Sequence, residues 1–189
     1  MSDVKDTAQK EAGRKEGGKR SIVSSAHLVS ERAAETSAFE YGLYIASNAF
    51  NRWIQRCMSA AGYPDLSALD VMVLHTVNHR AKDKKLADIC FVLNIEDSHT
   101  VNYALKKLTR LGLVAGDKRG KEIFYATTKD GQAACATYRE VREDCLVSAF
   151  SAFGGDKAGE LNEQIGEAAD LLRALSGLYD QAARSASSL

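Results

Sequence analysis

Apolar positions recur at helical spacing near both ends of the chain. Phe39, Leu43, Ala46, Phe50, Trp53 and Cys57 step by 4, 3, 4, 3 and 4 residues. That is the 3.5-residue repeat of helices packed nearly in parallel. Ile54 and Met58 widen the stripe. The repeat predicts a helix from about residue 25 to 61, ended by Gly62-Tyr63-Pro64, because proline disfavours helical geometry in the residue before it. Leu161, Ile165, Ala168, Leu172, Leu175 and Tyr179 repeat the same steps. Gly154-Gly155 divides this helix from an earlier one, at about 131–152, with Ala134, Tyr138, Val141 and Cys145 on one face. Two long, sparsely aromatic stripes flanking a compact middle suit the intertwining of two subunits. The candidate dimerisation residues are Phe39, Leu43, Phe50, Trp53, Leu161, Ile165, Leu172 and Leu175.

The middle of the chain has shorter elements. Ser67 is placed to cap a helix through Val71, Leu74 and Val77. Lys85 to about Leu93 predicts a short helix with Leu86, Ile89, Cys90 and Leu93 turned inward. After a break at Asn94-Ile95-Glu96, Asp97 or Ser98 caps a helix whose apolar ridge is Val101, Leu105 and Leu108. Leu111 extends that helix and Gly112 stops it. Two short helices around a tight turn predict a helix-turn-helix. Leu113–Ala115 then reads as a strand, 116–121 as a polar basic turn, and Ile123–Thr127 as the return strand. A basic hairpin directly after a helix-turn-helix makes it a winged helix. The expected fold is therefore mainly α with a small β-hairpin wing. Its parts are a disordered tail (1–24), an N-terminal dimerisation helix (25–62), a winged helix-turn-helix lobe (65–130) and C-terminal dimerisation helices (131–183). The tail is predicted disordered because residues 1–20 hold only Val4 as a large apolar group among charges and glycines.

Charge sharpens this picture. The 25 basic and 25 acidic groups cancel over the 189 residues, but residues 80–129 carry +5 and residues 130–189 carry −5. One basic segment in a neutral chain points to a local surface for a polyanion. On the helix from Ser98, the face opposite the ridge carries Ser98, His99, Asn102, Tyr103 and Lys106, groups suited to reading base edges in the major groove. Lys106, Lys107 and Arg110, with Lys118, Arg119 and Lys121 in the wing, are the candidate phosphate contacts.

Other chemistry is not signalled. Cys57, Cys90, Cys135 and Cys145 have no metal-site spacing and read as small hydrophobes. His75 and His79 stand at i and i+4, but without the glutamate of a zinc-protease helix, and no metal or other cofactor is expected. No phosphate loop, nucleophile elbow or catalytic carboxylate pair stands out, so an enzyme is not expected. No apolar run approaches the ~20 residues of a membrane-spanning helix. The N-terminal stretch is polar, unlike a signal peptide, so a cytoplasmic protein is expected.

The segments Leu69–Leu74, Ile89–Cys90, Leu93–Val101 and Leu105–Val114 together resemble the multiple-antibiotic-resistance regulator (MarR) family of winged-helix transcription factors. So do Asp117-Lys118-Arg119, similar to that family's Asp-x-Arg wing tip, and Thr128-Lys129-Asp130-Gly131, similar to its Leu-Thr-x-x-Gly exit. The similarity spans roughly residues 35–183. Thr127 stands where the family has leucine, and the stretch 117–131 is about one residue shorter than usual. The resemblance implies a homodimer that reads a pseudo-palindromic operator in double-stranded DNA, more often as a repressor. It also implies a small-molecule effector, of unknown identity, in a crevice between the dimer helices and the DNA-binding lobe. The alternative is a winged-helix protein-interaction module without sequence-specific DNA binding.

Overall fold

A computed structural model describes residues 34–189. The expected tail and the first residues of the N-terminal helix lie outside the described residues. Helix α1 runs Ala34–Ala60. It belongs to two compact units that meet between Ala49 and Phe50. In the first unit, Phe39 and Leu43 are half-buried, whereas Tyr44 and Ile45 are exposed. The second unit begins with the last part of α1, which sends Ile54, Cys57 and Met58 into the core.

The winged-helix lobe follows. Helix α2 spans Ala68–Asn78, and Ser67 caps it as expected. The Ser67 hydroxyl accepts from the Asp70 amide at 3.2 Å, and Asp70 Oδ2 accepts from the Ser67 amide at 2.8 Å. This reciprocal box satisfies two otherwise orphaned donors. A 3₁₀ turn at His79–Ala81 ends α2, with Arg80 at φ 62°. The Lys84 ammonium closes it by donating to the carbonyls of Val77, His79 and Lys82 at 3.2, 2.5 and 3.0 Å. Strand β1 is Lys84–Lys85, and α3 is Leu86–Leu93. Asn94 turns the chain in the left-handed region, φ 52°, a conformation asparagine tolerates well. Helix α4, Ser98–Arg110, is capped by Asp97, whose carboxylate accepts from the His99 amide at 2.9 Å. Val101, Leu105 and Leu108 are fully buried, as the ridge requires.

Strands β2, Val114–Arg119, and β3, Glu122–Thr127, form the wing. The sheet differs from the expected hairpin in two ways. Residues 116–119, expected in a six-residue turn, are strand, paired in register from Val114↔Thr127 to Arg119↔Glu122. The turn is only Gly120-Lys121, with Gly120 at φ 65°, where glycine avoids a steric penalty. A strand solvated on both faces carries no apolar alternation, so the pattern could not show it. Lys85, expected in a helix, pairs with Phe124 in a third strand, giving sheet order β1-β3-β2.

Helix α5, Lys129–Arg142, starts at the Thr128 cap. The Thr128 hydroxyl donates to Gly112 O at 2.6 Å and accepts from the Gly131 amide at 3.1 Å. A Cβ on Gly131 would lie 2.0 Å from Leu113 O, so only glycine fits this approach of α5 to the wing root. The helix continues through a π segment, Glu143–Val147, into α6, Ser148–Gly154. The π segment overturns the expected face. Ala134 and Tyr138 are buried, but Cys145 is exposed and Leu146 and Val147 turn inward instead. The wider turn rotates everything downstream. Cys145 is thus not a packed hydrophobe, and Cys57 and Cys135 are. After a 3₁₀ turn at Gly155–Lys157, α7 runs Ala158–Ala186. Asn94 Nδ2 links α7 to the lobe, donating to Asp180 Oδ2 at 3.1 Å.

Candidate nucleic-acid interface

The amphipathic α4 divides into faces by its 3.6-residue turn. Val101, Ala104, Leu105 and Leu108 face the core. His99, Tyr103, Lys106 and Arg110, at i, i+4, i+7 and i+11, form an exposed outer row. Tyr103 is 71% exposed, and the Lys106 ammonium lies 5.7 Å from its ring centroid. This arrangement keeps a cation beside an aromatic face at the surface. Ser98 is exposed at the helix start. Asn102 is half-buried on the flank toward the wing, where it lines a hollow with Ile123 and Tyr125.

Lys107 lies apart from the outer row. Its ammonium sits 2.7 Å from Asp70 Oδ2 and donates to Asp65 O at 2.6 Å. The Asp70 side chain is 7% exposed and that of Lys107 is 29%. A buried carboxylate needs such a partner. Its position on the other flank of α4 ties Lys107 to the α2 cap, away from the outer row.

In the wing, Arg119 is fixed from two sides. Its Nε donates to Asp117 Oδ2 at 2.7 Å and its Nη2 to Asp83 Oδ2 at 2.6 Å. Its guanidinium lies 4.7 Å from the Phe124 ring centroid. The neighbouring Lys85 ammonium pairs with Glu122 at 2.9 Å and lies 5.4 Å from the same ring. These charge-assisted bonds hold the guanidinium's direction while leaving the side chain 51% exposed. Lys118 and Lys121 are exposed at the tip. The sequence pattern pointed to Asp117 and Arg119 but not to Asp83, Lys85 and Phe124. The signal would have been β1, two residues long, which brings Asp83 and Lys85 beside β3.

The candidate dimerisation residues split. Phe50 is 53% exposed, and Ile165 and Leu172 are also exposed. Phe39, Leu43, Leu161 and Leu175 are half-buried. Trp53 packs on the lobe's core. His75 is half-buried and edge-on to Tyr138, ring centroids 4.5 Å apart, whereas His79 is exposed. Burial lowers the His75 pKa below its ordinary value. Among the described residues, no group of three or more His, Cys, Asp or Glu is placed to hold a metal. No helix among them is long and apolar enough to cross a membrane.

Residues 66–131 match the family model of the winged-helix DNA-binding domain. No curated protein sequence matches the chain. Solved structures do. Apo wild-type MarR from E. coli superposes with TM-score 0.57 at 16% identity, covering 68% of this chain and 95% of that one. NMB1585, a MarR family regulator from Neisseria meningitidis, gives 0.53 at 19% identity, covering 75% and 95%. Reduced AbfR bound to DNA gives 0.56 at 19% identity, covering 75% and 96%. The chain carries a winged-helix DNA-binding domain within the overall fold that the MarR regulators share.

Proposed function

We propose that this protein is a homodimeric, cytoplasmic transcriptional repressor that binds a pseudo-palindromic site in double-stranded DNA and catalyses no reaction. The observation that carries the reading is the outer row of α4. His99, Tyr103, Lys106 and Arg110 project from one exposed face of the helix that follows the helix-turn-helix turn. Ser98 and Asn102 stand beside them, and the wing presents Lys118, Arg119 and Lys121. A helix with donors near its N-terminus suits base edges, and cations further along suit phosphates. AbfR, of similar fold, has been solved bound to DNA, which supports the same role here. Repression follows if the bound dimer occludes a promoter. A crevice lined by Phe50, Trp53, Met72, Leu93 and Leu146 gives an effector of apolar character a place against the lobe. Selection of bound duplexes from a random pool tests the reading. A recovered two-fold symmetric motif supports it; recovery of unenriched sequence sinks it and favours a protein-interaction module.

A further inference from the structure

One aromatic ring of the wing lies apart from the hydrophobic core. The core packs against Tyr125 of β3, whereas the neighbouring Phe124 is half-buried and is not among the residues packed there. Phe124 is on the middle strand of the sheet, in register with Asp117 of β2 and Lys85 of β1. Alternation along the strands puts Arg119 and Glu122 on the same face. Two cations flank the ring: the Arg119 guanidinium at 4.7 Å and the Lys85 ammonium at 5.4 Å from its centroid. We propose that Phe124 is a positioning residue for DNA binding, a platform that holds the Arg119 guanidinium in one orientation for contact with the duplex. This role rests on the reading of α4 and the wing as the DNA-binding surface.

The course of the arginine calls for such a support. Asp83 stands at the entry to β1, and β3 separates β1 from β2. Adjacent strands lie ~4.8 Å apart, so Asp83 and Arg119 are about two spacings from one another across the sheet. The Arg119 side chain still reaches Asp83 Oδ2 with Nη2 at 2.6 Å, while its Nε donates to Asp117 Oδ2 at 2.7 Å. It therefore lies across the middle strand, and Phe124 is the side chain it crosses. The two carboxylates each fix one nitrogen. The ring attracts the cation as a whole through its quadrupole, which an aliphatic side chain of similar bulk lacks. A free arginine has many rotamers, and ordering them on binding costs affinity. Here that freedom is already restricted before the duplex arrives. Nη1 takes part in neither bond, so it stays available for a phosphate oxygen. Lys85 has its own partner in Glu122 at 2.9 Å and so leaves Asp83 and Asp117 to Arg119.

Two measurements on the full chain test the platform, with Phe124→Leu and Phe124→Tyr as variants. The first is nitrogen relaxation of the Arg119 Nε–H group, taken without DNA. In the parent and in Phe124→Tyr the group is ordered and its protons carry the upfield ring-current shift. In Phe124→Leu the shift disappears and the order parameter falls. The second is fluorescence anisotropy with the duplex recovered by selection. Phe124→Leu weakens binding roughly two- to fivefold, and Phe124→Tyr restores it. In an Arg119→Ala background Phe124→Leu has no further effect, because the ring acts only through the guanidinium. An unchanged order parameter in Phe124→Leu, an equal loss of affinity with Arg119 absent, or a loss that Phe124→Tyr does not restore would each overturn the assignment. Those results leave the DNA-binding reading standing. A selection that enriches no duplex sinks that reading and the positioning role together, while the relaxation data still decide whether the ring orders the arginine.

Discussion

At the scale of single residues, two adjacent lysines do opposite work. Lys106 is exposed on the outer row of α4, and Lys107 neutralises the buried Asp70 carboxylate. Lys106→Ala is expected to weaken binding to every duplex and lower the salt slope by about one, with unchanged stability. Lys107→Met leaves Asp70 buried beside one amide donor and no cation. It should cost about 1–3 kcal/mol in urea unfolding, while the salt slope of DNA binding holds. A Lys107 variant that behaved like Lys106→Ala would show that the ammonium leaves Asp70 to meet phosphate. His75 supplies a pH test. Its folded pKa lies below the unfolded value near 6.5, so the unfolded chain binds more protons as pH falls. Its contribution is therefore fully present above about pH 6.5 and is lost as pH falls toward the folded pKa. The unfolding midpoint should drop between pH 7 and pH 5, and drop less in His75→Gln. Parallel curves for the two proteins would contradict this.

At the scale of elements, the legible parts were those with one buried face. The α4 ridge, the Ser67 cap and the Gly112 stop each leave a periodic or positional trace in sequence, and the structure has all three. The rest lacked such a trace. β2 buries Val114 alone, so its solvated half carries no alternation. β1 is too short for a period, yet it brings Asp83 and Lys85 to the wing. The π segment shifts the face of α5–α6 by geometry that residue spacing does not encode, which is why spacing alone puts Cys145 on the buried face. Gly131 shows a motif gaining a cause: the Thr-x-x-Gly exit is a cap followed by a close approach to Leu113 O. Gly131→Ala should cost about 1–3 kcal/mol as α5 is pushed from the wing root. A denaturation midpoint equal to the parent's would refute the contact. The wing yields a paired prediction. Arg119→Ala should weaken operator binding by about 1–2 kcal/mol without altering thermal stability. Asp83→Ala, which removes one of two carboxylates directing the same guanidinium, should change affinity by less than Arg119→Ala. Fluorescence anisotropy at two salt concentrations separates the variants. Equal losses would mean that Asp83 is needed as much as the guanidinium itself.

At the scale of the whole molecule, the question is what covers α7. A helix of 29 residues exposes Ile165, Leu171, Leu172 and Leu178, the last at 60%. Phe50 of α1 and Phe150 and Phe153 of α6 add large apolar groups to the exposed set. A hydrophobic surface of this extent is costly in water, at about 1.5–3 kcal/mol for each large side chain left exposed. The 4-3 spacing of Leu161 to Tyr179 is that of a helix with a near-parallel neighbour, and a second copy of the chain brings an identical stripe. Dimerisation would also set two α4 helices at a fixed separation, which a pseudo-palindromic site requires and one lobe does not supply. Light scattering at micromolar concentration should therefore give twice the 20.5 kDa chain mass. Leu172→Glu should shift the protein toward monomer, because a charge at the seam is buried against apolar groups in the pair. In the same variant the winged-helix lobe should keep its fold, since its core draws on residues from Ile54 to Tyr138 and none from α7. Operator affinity should then fall steeply while contacts to a single half-site persist. A parent protein that scatters as a monomer, or a monomeric Leu172→Glu protein that keeps full affinity for the two-fold site, would refute the role given to α7.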